Sequence, residues 1–417
     1  MRTPLPRLTG ADWLQRPQTQ RVFAALAARG YAARVVGGAV RNALLGHAVD
    51  DLDIATTALP DEVIAAVSAA SLKAIPTGLA HGTVTVISDG TPFEVTTLRK
   101  DVATHGRHAT VAFTDDWIAD ASRRDFTINA LYCAADGETF DPLGGYDDVV
   151  ARRVRFIGSA AERIREDYLR ILRFFRLTAA FGEGAPDPDA LAACVRERAG
   201  LAILSAERVR QELLRLLAAR RGPEIVSVML DYGLITEVVG AAPRPTLLTR
   251  LAHIEAALGL EPNAMLRLAA LIVEVPEDAE RLRDRLRLSN EEAAALLRAP
   301  VRSPDLAPTA PEAVARAALY RLEGPAYRQR VLLEWTRAGD PHTSNAWRSR
   351  YRLPDTWRPP KFPVAGTDVI ALGVPAGPRI GNILRTLEAW WIEGDFAAGE
   401  DTLRSRLEEL IVETKGP

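Results

Sequence analysis

VVGGAVRNALLGHAVDDLDIAT, residues 35–56, holds the densest chemistry in the chain. An apolar pair runs into two glycines, a short helical pattern over Val40–Leu45 stops at Gly46, and Asp50–Ala55 reads as a strand. Two glycines ahead of a helix let backbone N–H groups approach an anion, and the helix dipole favours a phosphate there. Arg41, one turn in, adds charge. The same pattern also serves a plain tight turn. It is neither a G-x-G-x-x-G fingerprint nor a G-x-x-x-x-G-K-[ST] loop, which takes most of the weight from dinucleotide and P-loop readings. Asp51 and Asp53 sharpen the picture, because residues i and i+2 of a strand point to one face and set two carboxylates side by side. Such a pair is tolerable around a divalent cation, and hard oxygen ligands suit Mg²⁺ shared with substrate phosphates. Standing alone, it would equally fit a solvated acidic turn. Glu94, in FEVTTL at 93–98, is the candidate third carboxylate or else a surface residue near a strand end.

Outward from this stretch, residues 13–29 show helical spacing, Leu59–Ala70 reads as a helix, and Gly82–Ser88 and Phe93–Leu98 read as strands flanking the turn Asp89-Gly90. Between Arg99 and Asp120 periodicity fades and polar residues dominate, which predicts a loop able to move. Pattern resumes over Phe126–Ala134, and from about Ser159 onward the chain reads as almost wholly helical. The fold class is therefore α+β, a mixed-sheet N-terminal part followed by helices. Punctuation at 181–188, 240–245, 298–311 and 353–366 marks the candidate joints.

Composition narrows the class. With 417 residues, 47% hydrophobic and 25% charged, the chain is an ordinary folded one long enough for several cores. Its 52 basic and 54 acidic residues leave a net charge of −2, so any basic surface must be local. Two distant cysteines, Cys133 and Cys194, form neither a metal knuckle nor a redox pair. No signal peptide or membrane span is legible, so a cytoplasmic setting is expected, with no membrane and no inferable protein partner. His105 and His108 read as surface histidines, lacking the spacing of a zinc-binding helix.

GGAVRNALLG followed by DDLDIAT, then RRDFTINAL at 123–131, DPLGGYDD at 141–148 and EDYLRILRFFR at 166–176, resembles the class II tRNA nucleotidyltransferases of the DNA polymerase beta superfamily. The match covers about 20–240 closely, and FPVAGTDVIALGVPAGPRIGNILRTLEAWW at 362–391 looks like the family's tail segment. The resemblance implies a polymerase-beta-like nucleotidyltransferase head at 1–150, a helical neck for nucleobase selection at 151–240, and a helical body and tail holding tRNA at 241–417. It implies two Mg²⁺ ions on Asp51 and Asp53, with CTP, ATP and tRNA as substrates. It assigns nucleotide contacts to Gly37, Gly38, Arg41, Arg124, Asp125, Asn129, Glu166, Asp167, Arg170, Arg173 and Arg176. The activity implied is template-independent addition or repair of the 3′-terminal CCA of tRNA, the alternative being a bacterial poly(A) polymerase of the same family. The family commonly has Asp where this chain has Asn42, which leaves the role of that position to be decided.

On one continuous helix, positions 166, 167, 170 and 173 fall within an arc of about 120°. Cytosine and adenine each present an exocyclic amine beside an unprotonated ring nitrogen, whereas uracil and guanine present the reverse. Asp167 as acceptor and Arg170 as donor would sort bases by that difference, with Glu166 supporting Arg170. The plainer alternative is an exposed helix with i, i+4 ion pairs. Segment 151–176 holds eight arginines against three acidic residues, so a net positive stripe is expected to face triphosphate or RNA. SAERVRQELLRLL at 205–217 reads as a helix bracing that neck. The 99–120 segment, with Arg107 and Asp115, matches the family's flexible element that helps switch from C to A addition.

Overall fold

The computed structural model describes residues 4–105, 108–299 and 302–413, with backbone alone at 101–105 and 108–111. It divides into two compact units, Met1–Gly240 with Arg285–Arg287, and Ala241–Asp284 with Leu288–Pro417.

The first unit is built on helix α1 (Pro17–Ala27), β1 (Ala33–Val36), α2 (Gly38–Leu44), β2 (Asp53–Thr56), α3 (Pro60–Ala69), β3 (Lys73–Gly78), β4 (Thr83–Ser88) and β5 (Thr91–Thr97). There follow β6 (Arg99–His105), β7 (His108–Phe113), α4 (Trp117–Ser122), β8 (Tyr132–Cys133) and β9 (Thr139–Phe140). Seven strands make one mixed sheet in the order β3-β4-β5-β2-β1-β8-β9. Only β2 and β5 run parallel, Asp53 pairing with Glu94; the other neighbours are antiparallel. Alternation drives this: Val84, Val86, Phe93 and Val95 go inward and are buried, and α1 and α3 pack on each other and on β4. The β4–β5 hairpin closes on Asp89 and Gly90, both at positive φ (46° and 80°), the geometry that a two-residue turn demands.

Two expectations are corrected here, and one strand was not expected. The strand expected over Asp50–Ala55 begins only at Asp53, so Asp51 precedes it, although burial still alternates through exposed Asp51, buried Leu52 and exposed Asp53. β3 escapes the sequence reading because its hydrophobic pattern is interrupted by Pro76, which an edge strand tolerates. The 99–120 segment is no loop: β6 and β7 pair antiparallel as a separate two-stranded sheet, followed by α4. Thr and Val at alternate positions suffice for strands there, while the interspersed charges obscured them. Arg107 lies outside the described residues, and Asp115 is exposed just before α4.

Beyond the sheet come α5 (Ala160–Glu166), α6 (Leu169–Phe181) and α7 (Ala206–Ala218). α6 is anchored by Phe174, whose ring stacks at 5.8 Å on Phe156, itself 4.7 Å from Phe126. The second unit is helical among its described residues. Pro245–Leu258 and Ala264–Ile272 are tied by a buried Arg267–Glu255 pair at 2.7 Å. The 362–391 segment contributes Val364, Val369, Val374, Ile383, Leu387 and Trp391 to an apolar cluster closed by Leu403, Leu407, Leu410 and Ile411. No described helix is long and apolar enough to cross a membrane.

Candidate active site

A cleft of about 430 Å³ opens where the β1–α2 turn, the approach to β2, the RRDFTINAL segment and α6 meet. It brings together Gly37, Gly38, Arg41, Asp51, Asp53, Arg124, Asp125, Asn129, Arg173 and Arg176, and adds Asn42, Asp50 and Arg215. Glu94, Glu166, Asp167 and Arg170 are not on its wall.

The turn at its base depends on Gly37, which sits at φ 80° and ψ −126°. A Cβ there would meet only ordinary contacts, 3.6 Å from the Asn129 carbonyl oxygen, so conformation rather than space demands glycine. Gly37→Ala is expected to cost about 1–3 kcal/mol, the usual strain of such a backbone, read by chemical denaturation of the whole chain.

Asp51 and Asp53 both reach the cleft. Burial, then the neighbouring Glu94 carboxylate, lifts Asp53 above the usual aspartate range; Arg124 opposes this and Asp51 adds to it. A carboxylate cluster in which Asp53 resists ionisation is a donor set a hard divalent cation relieves. Glu94 stands beside Asp53 across the β2–β5 pairing, yet no three His, Cys, Asp or Glu side chains among the described residues converge as a metal-binding group. The donor set therefore fits a cation completed by outside ligands such as phosphates.

The arginines of the cleft are held in place from beneath. Asp120, 1% exposed, accepts from Arg123, from Arg124 Nη2 at 3.1 Å and from the Tyr132 hydroxyl at 2.9 Å. Burial alone would raise its pKa, but Arg124 and Arg123 hold it below the usual range. Asp125 accepts from Arg173 Nε at 2.7 Å and Asn129 Nδ2 at 3.1 Å. Against the burial that pushes it up, the Arg173 charge and the Asn129 hydrogen bond keep Asp125 low. Arg176 donates to Glu212 at 2.5 Å. Asn42 acquires a role, its Oδ1 accepting from Arg41 Nη2 at 2.9 Å and from Nε at 3.2 Å.

The single-helix expectation for 166–173 fails. α5 ends at Glu166, and Asp167 is extended at φ −157°, ψ 106° before α6 begins. Its carboxylate accepts from the Leu169 N–H at 3.1 Å, the habit of an Asp at a helix start, and from Arg208 Nη2 at 2.5 Å. Arg170 donates to Glu166 and to the Arg163 carbonyl. The positive stripe also shrinks: Arg153 and Arg155 pair with Asp148, Arg165 with Glu197, Arg173 with Asp125 and Arg176 with Glu212, all carboxylates outside the segment.

Sequence reading missed Asp120, Arg208, Glu212 and Arg215. A signal was present for the last three, since on α7 they stand at i, i+4 and i+7, one polar line facing α6.

The Poly A polymerase head domain matches residues 33–155, and the probable RNA and SrmB-binding site of polymerase A matches 185–242. The chain is 36% identical over 392 residues to the mitochondrial CCA tRNA nucleotidyltransferase 1 of Danio rerio, covering 90% of this chain and 87% of that protein. It superposes on the crystal structure of the Bacillus stearothermophilus CCA-adding enzyme in complex with CTP with a TM-score of 0.72, 29% identity, and 96% and 99% of the two chains covered. The fold is shared with the Thermotoga maritima CCA-adding enzyme complexed with tRNA, at a TM-score of 0.66 and 20% identity over 94% of each chain. With the head motifs in order around one cleft and a relative matched over nine-tenths of its length, the chain belongs to the CCA tRNA nucleotidyltransferase family.

Proposed function

We propose that this protein adds or repairs the 3′-terminal CCA of tRNA, transferring CMP and AMP from CTP and ATP without a nucleic-acid template and releasing pyrophosphate. The observation that carries the reading is the joining, in one cleft, of the Asp51–Asp53 pair with the Gly37-Gly38 turn and the arginines of RRDFTINAL and α6. Poly(A) synthesis is not favoured, because relatives aligned over most of the chain are named for CCA addition.

Asp51 and Asp53 would hold Mg²⁺, which when bound supplies Lewis-acid chemistry at phosphate oxygens and eases deprotonation of the attacking hydroxyl. The chain's own part is positioning. Arg41, Arg124, Arg173 and Arg176 present guanidinium groups to a triphosphate, the planar donor geometry suited to phosphate oxygens. Asp125, locked by Arg173, Asn129 and the Phe126 N–H, is fixed on the cleft wall, where its carboxylate would meet a ribose hydroxyl.

Base choice we assign to Asp167 and Arg170. The Asp167 carboxylate has four lone-pair directions of which the Leu169 N–H and Arg208 take two, and Arg170 has five donors, so each keeps capacity for a base edge. Arg208 and Glu166 fix their orientation. A site that demands both hydrogen bonds can reject UTP and GTP by a factor of roughly 10⁴ when desolvated.

The test is to incubate purified protein and Mg²⁺ with tRNA lacking CCA and one labelled nucleotide at a time. CMP incorporation from CTP alone, and AMP incorporation once two C residues are present, are expected. AMP addition alone, on RNAs of any sequence, would overturn the CCA reading.

A further inference from the structure

Among the four cleft arginines that the fold buries wholly or in part, Arg41 is the odd one. Arg124, Arg173 and Arg176 each lie against a carboxylate. Among the described residues Arg41, buried at 7% exposure, touches only uncharged side-chain partners: Asn129 Oδ1 at 2.5 Å, Asn42 Oδ1, and the face of Phe181 with the guanidinium carbon 3.9 Å from the ring centroid. Both amides can point only one way, since an arginine offers donors alone. Asn42 Nδ2 donates to the Ala48 carbonyl, and Asn129 Nδ2 to Asp125. Phe181 is the last residue of α6, while Arg41 lies on α2. The ring is itself braced by His47, stacked at 5.8 Å, whose N–H donates to the Asn42 carbonyl.

We propose that Phe181 is the positioning residue for Arg41, its ring and the two amides fixing the guanidinium in the cleft without neutralising it, so that the charge is kept for the phosphates of the incoming nucleotide. A buried cation is costly unless paired, and a carboxylate partner would satisfy it in advance. An aromatic face and amide oxygens orient the group while leaving its full charge for a ligand. The surroundings agree: burial, then Arg176, and also Arg173, bring the Arg41 guanidinium down to about 10, against the pull of Asp125, so an anion arriving there relieves an existing strain in charge. This inference rests on the nucleotide reading above and specifies how its phosphate end is built.

The test measures equilibrium binding of CTP and of inorganic tripolyphosphate to the whole protein with Mg²⁺ and no tRNA, so that nothing turns over. Phe181→Leu keeps apolar volume but removes the ring, and is expected to weaken both ligands about tenfold and equally, since Arg41 meets phosphate rather than base. Phe181→Trp is expected to bind at least as tightly as wild type. In an Arg41→Gln background, Phe181→Leu should change nothing further. A Leu variant that binds as wild type does, or one that loses as much again in the Arg41→Gln background, would overturn the proposal while leaving the nucleotide site standing. If the Leu variant folds poorly, failure of Phe181→Trp to bind overturns it as well. A wild-type protein that bound neither ligand would overturn the nucleotide reading and this proposal together.

Discussion

Asp53→Asn is expected to lower CMP incorporation by about 10³-fold or more while leaving the fold as stable as before, or slightly more so. Loss of a carboxylate proposed to hold the metal should remove several kcal/mol of stabilisation of developing charge, and each 1.4 kcal/mol is about tenfold in rate. The neutral stability follows from position. Asp53 is exposed, and its backbone pairing with Val36 and Glu94 does not use the side chain. Removing its charge also relieves the cost of burial, and the repulsion from Glu94 and Asp51, that hold its pKa above the ordinary range. Activity and stability therefore move apart, as at sites where function is kept against the preference of the fold. Single-turnover incorporation alongside a thermal melt checks both; a variant retaining a tenth of wild-type activity would contradict the assignment.

Arg173→Met gives the second large effect, in stability and activity together. Arg173 reaches Asp125 at 2.6 Å and lies 3.8 Å from Glu212, so its removal strands Asp125, 11% exposed, beneath α6. Breaking a buried pair from one side costs roughly 3–5 kcal/mol, and the partial exposure of Arg173 places this case at the lower end. The chain has two units, so a global melt would blur the result; urea-dependent hydrogen exchange of α6 reads it locally. The pH dependence has a definite sign. Asp125 is held below its ordinary value, so the pair stabilises fully above the carboxylate's unfolded pKa of about 4 and is lost as pH falls through the lower folded one. The gap between wild type and variant should close in acid, whereas a gap constant down to strong acid would argue against the ion pair as its source.

Motif and turn chemistry in this chain is local, and local chemistry was readable. The GG turn needs a residue free to adopt φ 80°, the Asp89-Gly90 pair has the composition of a two-residue hairpin turn, and the spacing of Asp51 and Asp53 puts both on one cleft. The reading faltered where a continuous pattern was extended through a break. Positions 166–176 obey helical spacing on paper, yet Asp167 leaves the helix because its side chain satisfies an N–H of the next one. Strands β6 and β7 were hidden by the charged residues spread through their sequence.

The amino-acid order alone determined the mixed sheet followed by helices and the glycine at the turn, because periodicity and backbone preference act over a few residues. Tertiary structure alone decided which charges are free. Arg173 finds Asp125 across 48 positions, Arg176 finds Glu212 across 36, and Arg41 finds Asn129 across 88 with no carboxylate in ion-pair contact among the described residues. Coulomb attraction and desolvation depend on distance in space and on the medium between, neither of which is written in sequence spacing. A stripe that counts as net positive along the chain is thus largely neutral in the fold, and Arg41 of the opening motif is the buried cleft arginine that, among the described residues, has no ion-pair partner.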